Sequence, residues 1–254
     1  MSDDDSTPIP AIHRHQQSHN DLVLSFLAVR RAIGILGFFL PLALWLWSVT
    51  QPTIGILPTM SDYFYSPVGV IFVGTLTATA VFLWSYEGYR KMEDEMVSDL
   101  LLARIASLGA LGTAWIPTEA PYPIGQCPGA DTAPVVCSFA QQLLTPGVAS
   151  LLHVACAAAF FGAMAVISLV KFTRGDTDST EKRACNSIYR ICGWTIIACL
   201  AVIGAIKVIT DSATPLPYAP VFWLEVVASL AIAVSWTVKG DALRPLVRMA
   251  AKAG

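Results

Sequence analysis

Ser61 and Asp62 stand side by side in "PTMSDYFYSP", residues 58–67, between two long apolar runs and followed at once by Tyr63 and Tyr65. A serine hydroxyl becomes a nucleophile when an imidazole takes its proton. His153, in "LLHVACAAAFFGAMA", is the one histidine beyond the N-terminal stretch that holds His13, His15 and His19. Ser61, Asp62 and His153 therefore supply the residue types of nucleophile, orienter and base. Adjacent Ser and Asp do not readily address one imidazole together, so a complete triad is not expected, and a histidine hydrogen-bonded to a neighbouring helix is the plainer reading of His153. Lys207, Asp211 and Glu225 add three charges near the ends of apolar runs. Lys207 and Asp211 share a helix face at i and i+4. Pairing with Asp211 or Glu225, or snorkelling, accounts for Lys207 without any function. A single intramembrane histidine is too few for a three-histidine zinc site, and no Cys-x-x-Cys is present, so no metal and no cofactor are expected.

The elements that must position these groups follow from composition. Of 254 residues, 55% are hydrophobic and only 13% charged, with mean hydropathy +0.60, against about 25% charged in a soluble domain. That is a membrane protein, and with no basic face interleaved with aromatics it has no nucleic-acid partner. Runs long enough to cross a hydrocarbon core lie near 32–50, 67–88, 99–116, 147–170, 189–210 and 220–238. None shows strand alternation, so the expected fold is all-α: a polytopic bundle of six transmembrane helices over residues 21–238. The connections 51–66, 117–146 and 211–219 contain no Lys or Arg, whereas Arg14, Arg30, Arg31, Arg90, Lys91, Lys171, Arg174, Lys182, Arg183, Arg190, Lys239, Arg244, Arg248 and Lys252 cluster at the other ends of the runs. By the positive-inside rule both termini are cytoplasmic, and the expected location is the plasma (inner) membrane. The tryptophans follow the same division, with Trp45, Trp47, Trp115 and Trp223 toward the outer ends and Trp84, Trp194 and Trp236 toward the inner ends.

Residues 1–20 read as a polar, disordered tail without a cleaved signal peptide, and 239–254 as a short basic tail. Asn20 or Asp21 is the expected N-cap of a lead-in to the first span. Glu87 and Arg104, both near the inner face, are expected to pair and pin the second span to the third. The loop 117–146 is long and rich in Pro and Gly, and its Cys127 and Cys137 are expected to form a disulfide in an oxidising compartment. Cys156, Cys185, Cys192 and Cys199 read as small packing residues. No internal repeat and no matched pair of broken helices appears, which argues against the usual transporter architecture.

"PTMSDYFYSPVGVIFVGTLTATAVFLWSYEGYR", with the later "HVACAAAFFGAMAVISLVKF", resembles the six-span family of damage-regulated autophagy modulators and the GPI-anchor lipid-remodelling factor, with their related bacterial membrane domains. The matching positions are Pro58, Ser61, Asp62, Pro67, Phe72, His153, Phe160 and Phe161. Met60 and the run Tyr63-Phe64-Tyr65 depart from the family's pattern. The resemblance implies a six-helix protein associated with lipid.

The first expectation is thus a non-catalytic protein that binds or organises membrane lipid through an outer-leaflet pocket lined by Ser61, Asp62, Tyr63, Tyr65, His153, Lys207, Asp211 and Glu225. There Asp62 and Glu225 would meet a polar or cationic head group and Lys207 a phosphate. The alternatives are a metal-independent lipid hydrolase or remodelling enzyme with His153 as general base, and a small transporter or channel. Membrane lipid is the expected partner, with self-association or a second membrane protein left open.

Overall fold

A computed structural model describes residues 11–88, 97–118, 138–175, 179–210, 217–243, 245 and 247, with backbone alone over 11–25. The described residues fold into helices: α1 (Ala11–Val49), α2 (Gly69–Trp84), α3 (Asp99–Trp115), a short α4 (Phe139–Leu144), α5 (Pro146–Val166), α6 (Thr180–Ile209) and α7 (Pro220–Lys239). A 3-10 turn, Ser61–Tyr65, precedes α2, and a π turn, Ile167–Lys171, extends α5. Four helical stretches are long and apolar enough to cross a membrane: Phe26–Val49, Gly147–Lys171, Thr180–Ile209 and Pro220–Lys239. Gly69–Trp84 is apolar but shorter, and α3, with 17 residues, carries Asp99 and Arg104. α1 begins at Ala11, inside the stretch read as a tail, so Asn20 and Asp21 lie within the helix and do not cap it.

Each long helix packs on its neighbours in chain order, α1 on α2, α2 on α3, α3 on α5, α5 on α6 and α6 on α7, and α7 closes the ring on α1. Small residues set the closest approaches, as expected where helix association in lipid relies on packing. A Cβ at Gly37 would lie 3.1 Å from the Cβ of Ala233 on α7, and one at Gly109 would lie 2.7 Å from the backbone of Cys156 and Phe160 on α5. Ala103, Ala106, Ala110 and Ala114 line the same buried stripe of α3. Large apolar side chains point outward around the ring, among them Val70, Leu151, Ile191 and Val208. An apolar exterior of this kind is stable in lipid and costly in water.

The core divides into two clusters. At one end Leu44, Leu57, Met60, Tyr63, Phe72 and Phe222 pack together; at the other, Tyr86, Phe172, Tyr189 and Trp236. Trp236 is fully buried, with its ring 5.2 Å from Tyr86 and 5.1 Å from Phe172, so it belongs to the core and not to an aromatic belt. Trp84, Trp115 and Trp194 are exposed as a belt requires. Arg104 lies over the Trp84 ring at 3.8 Å while Glu87 is exposed. The expected Glu87–Arg104 pair does not form: the guanidinium lies over the Trp84 indole on the neighbouring helix, a contact a long cation makes readily. A buried ion pair at this end is Lys171–Asp99, 3.2 Å apart, with Lys171 also donating to the Val97 carbonyl. It joins the end of α5 to the start of α3, where Ser98 accepts from the Leu101 amide as N-cap.

Candidate functional site

The segment between α1 and α2 is held at the end of the bundle by three anchors. Tyr63 is fully buried, with its hydroxyl bonded to Ser48 of α1 and accepting from the Leu57 amide at 3.3 Å. Its ring lies 5.8 Å from Trp47 and 5.7 Å from Phe222. From α7, Glu225 accepts the Met60 amide at 2.6 Å and the Phe222 amide donates to Pro58 O at 3.0 Å. Ala219, just before α7, has φ 47°, a left-handed conformation that a non-glycine residue adopts only where the surroundings hold it. The third anchor is local: Thr59 N–H donates to Asp62 Oδ2 at 2.9 Å and Asp62 N–H donates to Thr59 Oγ1 at 3.2 Å.

So fixed, the turn presents Ser61 to α5. Ser61 Oγ is 2.7 Å from His153 Nε2, and His153 Nδ1 is 2.6 Å from the Ile116 carbonyl. Helix packing explains why these groups meet. Gly112 of α3 abuts Cys156 of α5; the residue one turn beyond it on α3 is Ile116, and the residue one turn before Cys156 on α5 is His153. A carbonyl only accepts, so Nδ1 carries the hydrogen and, in the neutral imidazole, Nε2 is the acceptor for the Ser61 hydroxyl. A backbone carbonyl thereby does the tautomer-fixing that a carboxylate performs in a Ser-His-Asp triad. Asp62 takes no part in it, because its carboxylate is committed to its own turn. Burial pushes its carboxyl up from the ordinary 3.8 to about 6, against the hydrogen bonds from Thr59 and the charge of Lys207, which pull it down.

Not all of the expected site residues line a pocket. Ser61, Asp62, His153 and Glu225 do converge. Tyr63 is a core residue and not a head-group contact. Tyr65 donates to the Thr118 carbonyl at 2.6 Å and accepts from Gln141 at 2.7 Å, which ties the turn to the chain leaving α3 and to α4. Lys207 is exposed near the end of α6, with no hydrogen bond to the other three. Asp211, Cys127 and Cys137 lie outside the described residues. Beside Ser61 is a cavity of about 40 Å³, lined by Leu40, Met60, Phe72, Thr113, Phe160 and Glu225. That holds a water or two, not a head group. A larger groove of about 430 Å³, lined by Ile54, Ile56, Pro58, Tyr218 and Trp223, reaches neither Ser61 nor His153.

Residue types could not have revealed the Ile116 carbonyl, since any residue supplies one. Gln141 was within reach: Ser138-x-x-Gln141 is a capping box, formed in both directions here. Among the described residues no group of three His, Cys, Asp or Glu side chains is placed to hold a metal ion. No protein-family model, curated protein or solved structure matches this chain.

Proposed function

We propose that this is a multi-pass membrane enzyme that cleaves or transfers an ester-linked acyl chain of a membrane lipid, with Ser61 as nucleophile and His153 as general base. The observation that carries the reading is the aligned series Ser61 Oγ, His153 and Ile116 O, at 2.7 and 2.6 Å. A hydroxyl held on the basic nitrogen of a tautomerically fixed imidazole is the ground-state arrangement for nucleophilic attack. As Oγ bonds to the ester carbonyl carbon, its proton passes to Nε2. When the carbon–oxygen bond to the alcohol breaks, Nε2 returns that proton to the leaving oxygen. Water, or the hydroxyl of a second lipid, then releases the acyl group from Ser61 by the same steps in reverse. Leu40, Phe72 and Phe160 make the small cavity beside the serine apolar. Six spans, both termini on the cytoplasmic side, a plasma-membrane location and kinship with the six-span lipid-associated family complete the proposal. The absence of Lys and Arg from the segments flanking Ser61 supports an outer-leaflet position for this centre.

A second reading, a non-catalytic lipid-organising site, is favoured by two observations. The cavity is small, and the amides of Asp62 and Tyr63, next to the serine, are already bonded to Thr59 Oγ1 and Met60 O. In membranes the two readings separate with a fluorophosphonate probe. The enzyme reading expects labelling at Ser61, abolished in Ser61→Ala and reduced at least about a hundredfold in His153→Gln, as loss of a general base does. Unlabelled, folded wild-type protein would overturn it and leave the polar cluster as a latch between turn and bundle.

A further inference from the structure

The cavity of about 40 Å³ beside Ser61 is apolar over most of its wall, but four of its lining residues carry side-chain oxygens: Ser61, Thr113 of α3, and Glu225 and Ser229 of α7. Two of these oxygens are unspent. Glu225 gives Oε2 to the Met60 amide at 2.6 Å, while Oε1 meets no donor among the described residues. The hydroxyl of Ser229 is buried, and it too has no hydrogen bond to any described residue. Glu225 and Ser229 stand at i and i+4 and so share one face of α7. Thr113 Oγ1 donates to Gly109 O at 2.8 Å and keeps its lone pairs free to accept. Buried polar oxygens are stable only with partners, and in a space of this size the partner is water.

Given Ser61 as nucleophile and His153 as base, the reading on which this rests, we infer that the cavity holds the water that hydrolyses acyl-Ser61, oriented by Glu225 and Ser229. The acyl acceptor is then water and not the hydroxyl of a second lipid. A lipid alcohol must bring a carbon skeleton to the serine after the first alcohol has left. A water bonded beside Oγ is in place from the start, with its orientation already fixed. The water oxygen bonds to the acyl carbonyl carbon as its proton passes to His153 Nε2. The bond from that carbon to Oγ then breaks and Nε2 returns the proton to Ser61, which releases the free fatty acid. Glu225 is a positioning residue in this step: its second oxygen accepts a hydrogen of the water, while the first holds the turn that carries Ser61.

The test uses the full chain in neutral detergent, with p-nitrophenyl butyrate as acyl donor and monooleoylglycerol as the competing lipid alcohol, in water enriched in oxygen-18. Wild type is expected to release butyrate carrying the heavy isotope and to transfer little butyryl to monooleoylglycerol. Glu225→Gln keeps an acceptor for the Met60 amide but turns the second oxygen into an NH2 donor, which reverses the hydrogen bond to the water. Nitrophenolate should then appear as a burst, followed by turnover about ten- to a hundredfold slower than wild type, with butyryl-Ser61 accumulating in the intact mass. A merely structural defect would instead slow the burst and fluorophosphonate labelling of Ser61. If Glu225→Gln fails to fold, Ser229→Val, which removes a hydroxyl and adds a methyl group to the space, should accumulate butyryl-Ser61 in the same way. Lys207→Gln, at an exposed position near the end of α6, should change none of these. Predominant transfer to monooleoylglycerol, or turnover unchanged in both α7 variants, overturns the inference and leaves the Ser61–His153 chemistry standing. Wild type that neither releases nitrophenolate nor labels at Ser61 overturns that chemistry, and this inference with it.

Discussion

Gly112→Ala tests whether helix packing positions the Ser61–His153 pair. An added Cβ would stand 3.0 Å from the Cys156 Cβ and closer still to its sulfur, so α3 and α5 must part or Cys156 must move. Overpacking of this kind costs about 1–3 kcal/mol, and the helix gains about 1 kcal/mol back because alanine replaces glycine. The expected net loss of stability is therefore about 0–2 kcal/mol, with a larger effect one turn away, where any separation of the helices pulls His153 Nδ1 from the Ile116 carbonyl. Cys156→Gly combined with Gly112→Ala exchanges the small and large partners, so the double variant should recover most of the loss, with a coupling of about 1–3 kcal/mol. Gly109→Ala serves as contrast. Its Cβ would meet the backbone of Cys156 and Phe160 at 2.7 Å, and no side-chain change can relieve that. Thermal unfolding in detergent and fluorophosphonate labelling of Ser61, run on Gly112→Ala, Gly109→Ala, Cys156→Gly and the two double variants, read stability and site geometry separately. If Gly109→Ala unfolds and labels like wild type, or if Cys156→Gly rescues it as fully as it rescues Gly112→Ala, the packing argument is wrong.

Other outcomes follow from the charges. Because the folded pKa of Asp62, about 6, lies above its ordinary 3.8, its contribution is greatest below about pH 3.8 and is lost as pH rises through 6. At 1.36 kcal/mol per pH unit this amounts to about 3 kcal/mol. Asp62→Asn should flatten the pH dependence of unfolding across that window, and an unchanged profile would show the carboxyl to be solvated. Lys171→Met should destabilise by about 3–5 kcal/mol by leaving Asp99 buried without its cation, whereas Lys171→Met/Asp99→Asn should be milder. Equal melting temperatures for the two would argue against the buried pair. Tyr63→Phe, which leaves the Leu57 amide without its acceptor while Ser48 keeps its bond to Leu44 O, should cost about 1–3 kcal/mol in the same unfolding assay.

Composition and apolar run length alone make this an all-helical membrane protein, because in lipid each backbone amide must find its partner within its own segment. Some helix starts follow nearly as directly: Ser98 caps α3 and Pro220 opens α7 at its permitted first turn, whereas α1 begins at Ala11 and α6, capped by Ser179, at Thr180, well ahead of the apolar runs near 32 and 189. That Ser61, Asp62, His153 and Glu225 lie near one end of the bundle is also legible, since each falls at the same end of its apolar run. What each does there is not. Asp62 and His153 look like partners by type, yet the turn closes Asp62 onto Thr59 while the crossing of α3 and α5 at Gly112 brings the Ile116 carbonyl to the imidazole. Trp236 looks like a belt residue by depth, but the rotation of α7 turns it inward onto Tyr86 and Phe172. Glu87 and Arg104 share a depth, yet a guanidinium can satisfy itself on a neighbouring indole. Sequence sets how deep a side chain lies in a membrane helix; the azimuth of each helix, fixed only when small residues on six helices find one another, decides which groups meet.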